Sequence, residues 1–287
     1  MNQPEQQQID HWFAFAKKWI PRKKQKIASG EGKQATYTSL ALAHASFARA
    51  KFLNGDALTE VRTEFANAAR CILKNFTMAY DEADPDYLGD QWPERNPHYT
   101  GLKGSPVTAK WCNPTHGQLD LSELIETYAI DGINYALIAA DFELAAELAQ
   151  IYRTSPDGDM LDIDVNRYVH TLKQWLLGEP EAALSLIHEQ FEDYKQTPPK
   201  SAGDKNYYTL FTTLFGIVSG DNAVFNEGLQ QQLVFYQSYA QGEAKNTTEE
   251  FICDPAVALA NLGFHHGLTV TVTHDTLPPG LLLIRSK

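Results

Sequence analysis

Several short constellations in this 287-residue chain have residue types that do chemistry, and each departs from the spacing its chemistry needs. Gly30-Glu31-Gly32-Lys33 carries the glycines and lysine of a phosphate-cradling loop. In the GxxxxGK frame the first glycine would fall on Ile27, and Gln34 stands where Ser or Thr should bind magnesium. His188-Glu189 opens like a zinc-protease helix, but Glu192 replaces the second histidine. His265 and His266 are adjacent, so on a helix they diverge by about 100° and suit the negative end of its dipole better than one shared metal. Asp157, Asp159, Asp162 and Asp164 have the acid density of a calcium loop without its central glycine and distal glutamate in register, and read as a solvated loop entering a helix. Asp81-Glu82 starts like the magnesium motif of helical terpenoid enzymes, with Pro85 at the closing acid position. There is no GxSxG elbow, and Cys71, Cys112 and Cys253 have no recognisable nucleophile context. The expectation is a chain with no catalytic residues, no cofactor and no metal.

Residues 78–94 differ in kind. They hold six acids and no Lys or Arg, interleaved with Tyr80, Tyr87 and Trp92. Aromatics anchor protein interfaces, and acids steer and pair with a basic partner. The candidate partner-binding residues are therefore Asp84, Asp86, Tyr87, Asp90, Trp92 and Glu94. His98, Tyr99 and Trp111 extend the set further along the same loop. The competing reading is a surface loop packed on itself with its aromatics turned inward.

The scaffold around these residues reads as helical. Four turns of a small residue plus an acid recur: Asn54-Gly55-Asp56, Ala140-Asp141, Gly178-Glu179-Pro180 and Gly220-Asp221. Their acids are 85, 38 and 42 residues apart. Amphipathic segments follow each turn, and periods near 40 residues are how stacked helical hairpins look in sequence. The pattern predicts an all-α fold of stacked antiparallel hairpins, irregular and tetratricopeptide-like. Helices are expected over 9–20 (stopped by Pro21), 36–53, 57–80, 121–152, 162–177, 180–195, 204–219 and 222–240. A final helix starts with Asp254 as cap and Pro255 at its first position and ends at Gly267. Thr269-Val270-Thr271-Val272-Thr273 alternates strictly, a strand signal, so a short extended segment closes the chain. One domain over 1–287 is expected, with a basic helix and loop at 1–34. Residues 81–118, rich in Pro and Gly without helical period, form an ordered insertion.

Charge is unevenly placed. Lys plus Arg number 24 against 36 Asp plus Glu, a net of -12. Residues 1–34 hold seven cations and three acids, so the remaining 253 residues carry -16. Such a body repels nucleic-acid backbones and anionic membranes and steers a basic protein towards itself. Three scattered cysteines fit a reducing compartment, and neither an N-terminal apolar core nor an 18-residue apolar run occurs, so a cytoplasmic protein is expected.

The C-terminal residues Asp254-Pro255-Ala256-Val257-Ala258-Leu259-Ala260-Asn261-Leu262, then His266-Gly267-Leu268-Thr269-Val270-Thr271-Val272, then Asp275-Thr276-Leu277-Pro278-Pro279-Gly280-Leu281-Leu282, resemble the immunity protein 49 family of bacterial polymorphic-toxin systems. In that family an alanine-rich helix is followed by Gly, an alternating segment and a Leu-Pro turn. Residues 1–250 match only in architecture, and no catalytic residue is carried over. The resemblance implies an immunity protein that neutralises a cognate toxin, a basic one, by direct non-catalytic binding. The alternatives are a tetratricopeptide-like adaptor gripping a peptide with Asn206, Tyr207 and Tyr208, and an all-helical hydrolase or lyase with converging acids or histidines.

Overall fold

Each of the four turns closes in the same way, and together they set the architecture. The protein is seen in a computed structural model that describes residues 4–87, 123–153 and 163–283. Gly55, Ala140, Gly178 and Gly220 take positive φ of 82°, 62°, 79° and 69°. The amide of the acid that follows donates to a carbonyl five residues back: Asp56 to Lys51 (3.0 Å), Asp141 to Ala136, Glu179 to Gln174 and Asp221 to Gly216 (each 2.9 Å). A left-handed residue followed by this bond satisfies the last carbonyls of a helix and reverses the chain. Asp141 and Asp221 also start the next helix. Asp141 accepts from the Leu144 amide (3.1 Å), and Asp221 from those of Ala223 (2.9 Å) and Val224 (3.1 Å).

The described residues form ten α-helices: α1 (Gln6–Ala28), α2 (Gln34–Asn54), α3 (Leu58–Tyr80), α4 (Glu126–Ile138), α5 (Phe142–Ile151), α6 (Ile163–Leu176), α7 (Pro180–Gln196), α8 (Ala202–Ser219), α9 (Asn222–Gln241) and α10 (Asp254–His265). The turns join four hairpins, α2/α3, α4/α5, α6/α7 and α8/α9. The fold is all-α, as the periodicity predicts. In α8/α9 the backbones come very close. A Cβ on Gly216 would sit 2.3 Å from the Phe225 nitrogen, and one on Gly228 would sit 2.5 Å from the Thr213 nitrogen.

The C-terminal helix is the hub. Ala256, Val257, Ala258, Leu259, Ala260, Asn261 and Leu262 are all buried, so α10 has no solvent stripe along these residues and packs against α4, α8 and α9. Asn261 is its polar pin. Its amide donates to the carbonyls of Leu137 (3.2 Å) and Leu281 (3.3 Å), and its oxygen accepts from the Leu283 amide (2.9 Å). Gly267 (φ 90°) ends the helix with a Leu268-to-Gly263 bond of the same kind as the other turns.

Several boundaries differ from expectation. Pro21 does not stop α1, which runs on to Ala28. Proline removes the amide that would reach the Lys17 carbonyl, but both residues are exposed where water can serve that carbonyl, while Ile20 stays buried and Ile27 half-buried. The turn expected at Ala140-Asp141 divides the 121–152 segment into two helices, and the first begins at Glu126 rather than 121. Asp254 is the first residue of α10 and not its cap, for its carboxylate is engaged elsewhere.

Residues 269–273 are extended but belong to no strand, and no strand occurs among the described residues. Their partners are two asparagines of α9. The Thr269 amide donates to Asn222 and the Thr271 amide to Asn226 (both 2.7 Å), while the Asn226 amide donates to the Thr269 carbonyl (2.9 Å). Alternation survives because Val270 and Val272 pack on the core and the threonines face water. It records a half-buried extended chain rather than a sheet.

Candidate partner-binding site

The acidic turn begins where α3 ends, with Asp81 leaving helical geometry. Lys74, on the last turns of α3, reaches over the turn and donates to both oxygens of Asp84 (2.6 and 2.7 Å), with Asp86 2.9 Å away. Asp84 also accepts from the Thr77 hydroxyl (2.9 Å) and the Asp86 amide (2.8 Å), and Asp81 accepts from the Ala83 amide (2.9 Å). Burial alone would raise the pKa of Asp84, but Lys74, the Asp86 amide and Thr77 outweigh it and hold the carboxyl below its ordinary value. Asp84 thus organises the turn from within. The acids left facing water are Glu82 and Asp86, beside a half-buried Tyr87.

Of the residues picked from sequence, Asp84, Asp86 and Tyr87 therefore share one turn. Asp90, Trp92, Glu94, His98, Tyr99 and Trp111 lie outside the described residues.

The other sequence candidates find ordinary structural places. His265 stacks on Phe142 with ring centroids 3.9 Å apart, and His266 leans on Trp175 at 4.7 Å, their own planes 87° apart. Burial, with His265 alongside, lowers the pKa of His266. Asp164, expected where a solvated loop enters a helix, does lie in the first turn of α6 but is buried, accepting from Gln190 (2.7 Å) and Tyr194 (3.0 Å). Asp157, Asp159 and Asp162 are outside the described residues. Among the described residues no three His, Cys, Asp or Glu side chains converge as a metal site would require.

A charged cluster buried among the described residues has no motif in the sequence. Arg49 of α2 donates through Nε to both oxygens of Asp254 (3.1 Å each) and through its terminal nitrogen to one of them. Its other terminal nitrogen is 3.3 Å from Glu249, which also accepts from the Tyr239 hydroxyl (2.8 Å). The guanidinium lies 6.0 Å from the Tyr135 ring centre. Tyr236 ties in from α9, its hydroxyl 2.8 Å from the Glu249 carbonyl and 3.0 Å from that of Ile252. Burial disfavours the charge on Arg49, but Asp254 wins and holds it firmly as a cation. Nearby, burial and then Asp254 push the Asp131 carboxyl up to about 7. The one sequence signal was Arg49 itself, a cation in the small-residue stripe of α2 between Ala45, Ala48 and Ala50. The cluster clamps α2, α4 and α9 to the start of α10.

A third feature is a groove of about 650 Å³ where α7, the 198–199 proline pair and α8 meet. Phe191 and Phe215 meet edge to face (5.7 Å), as do Phe191 and Tyr208 (6.1 Å), and His188 stands 5.9 Å from Phe215. Of the adaptor candidates, Tyr207 packs on Tyr168 (5.8 Å) and Asn206 is half-buried. Only Tyr208, 38% exposed, opens on the groove.

No family model, curated protein or solved structure matches this chain.

Proposed function

We propose that this chain is an immunity protein that neutralises a cognate basic toxin by direct, non-catalytic binding. The resemblance of the C-terminal residues supplies the class. The observation that carries it in the geometry is the turn after α3, where Lys74 braces Asp84 and Asp86 and leaves Glu82 exposed beside a half-buried Tyr87. A pre-organised acidic turn on a body of net charge -16 favours rapid encounter with a cationic protein and loses little entropy on binding.

Co-expression with the toxin encoded beside it tests the reading. Rescue of growth and a co-purifying complex are expected, and toxicity unrelieved with no complex overturns it. Charge reversal at Glu82, the exposed acid of the turn that Lys74 does not hold, locates the surface. Association at low salt should slow roughly threefold to tenfold with little change in stability. An unchanged on-rate moves the interface away from this turn.

A further inference from the structure

We infer that the groove between α7 and α8 is a docking site for an extended peptide segment that presents an arginine or lysine side chain. This is independent of the immunity reading and holds for any cationic partner.

The groove combines two chemistries that recognise a cation on an apolar stem. Its walls are aromatic, with Phe191, Tyr208 and Phe215 in the edge-to-face array described above, and ring faces attract guanidinium and ammonium groups. Its rim is acidic. Glu192 of α7 and Glu227 of α9 both line it and are exposed; Lys195, the one Lys or Arg among its described lining residues, pairs with Glu192 at 2.5 Å, so the net negative charge of the rim rests on Glu227. Pro198 and Pro199 supply a rigid apolar edge suited to the alkyl part of the side chain. A volume of about 650 Å³ is within the range of pockets that hold small ligands, so one long side chain with its flanking residues fits. Net charge complementarity selects the occupant. With a chain of -12, nucleic acid, an anionic membrane and an acidic peptide are all repelled where a cationic segment is attracted.

The test uses the full chain and a capped peptide, Pro-Leu-Arg-Leu-Pro, against its citrulline counterpart, which keeps the shape and loses the charge. Calorimetric titration should show saturable binding of the arginine peptide and at least about fivefold weaker binding of the citrulline one. Tyr208→Ala and Glu227→Gln should each weaken the arginine peptide roughly threefold to tenfold, while Tyr208→Phe, which keeps the ring, binds normally. Unchanged thermal unfolding of the exposed-site variants separates these losses from misfolding. Equal binding of the two peptides, no saturable binding, or indifference to both Tyr208→Ala and Glu227→Gln overturns the proposal. So does self-association abolished by Glu227→Gln, which would seat the basic α1 of a second copy in the groove.

Discussion

Arg49 and Asp254, 205 positions apart in the chain, meet in a buried two-pronged ion pair that joins the second helix to the first turn of the last. The guanidinium is satisfied on several sides, by Asp254, Glu249 and the face of Tyr135. The pair therefore acts as a specific latch: α10 is apolar almost throughout, and this contact fixes which end of it meets α2.

Removing one partner strands the other charge in the core. Arg49→Met or Asp254→Leu should each cost about 3–5 kcal/mol of unfolding free energy, whereas the double substitution should cost much less than their sum. Urea unfolding of the four proteins measures this directly. Additive losses would mean that the two residues do not act as a pair.

Asp131 makes stability depend on pH with an uncommon sign. In the folded chain it keeps its proton up to about pH 7, while the unfolded carboxyl ionises near 3.8. Between those values folding takes up a proton, so Asp131 contributes stability at the acid end that is lost as pH rises through 7, by no more than about 1.4 kcal/mol per unit. Asp84, with its lowered pKa, works in the opposite direction at lower pH. Asp131→Asn should flatten the fall between pH 5 and 7 relative to the parent. Parallel profiles of urea midpoint against pH for the two proteins would refute this.

Ala140 holds a left-handed conformation (φ 62°) that all three counterpart turns give to glycine. Ala140→Gly should stabilise the protein by roughly 0.5–1 kcal/mol, and Gly220→Ala should destabilise it by about 1 kcal/mol. Opposite shifts in denaturant midpoint are the expected readout; a destabilising Ala140→Gly would show that the strain is compensated locally.

Gly216 exists for contact rather than for φ. A methyl there would lie 2.3 Å from the Phe225 backbone nitrogen, an atom that cannot step aside without separating α8 from α9. Gly216→Ala should therefore cost about 1–3 kcal/mol or more despite alanine's better helix propensity. A stabilised variant in thermal unfolding would mean that the hairpin can widen freely.

Much of the fold was legible because it is local. A pair of small residue and acid at the end of an amphipathic run needs only its own neighbours to close a helix and open the next. Hence the hairpins at 54–56, 140–141, 178–180 and 220–221 follow from composition and period alone. The acidic turn was legible as a cluster of like charge. What spacing did not reveal is that Lys74, ten residues before Asp84, folds back to neutralise it and Asp86 together.

The helices, their turns and the sign of the surface charge thus follow from the order of residues alone, since each depends on residues a few positions apart. Packing settles how Pro21 is carried inside a helix, that Thr269 and Thr271 pair with asparagines instead of a strand, that Asp254 serves Arg49 rather than a helix end, and that Tyr208 opens on a groove while Tyr207 does not. Each of these turns on which distant surface covers a given group. Burial and hydrogen-bond partners are properties of the packed chain, and no local period encodes them.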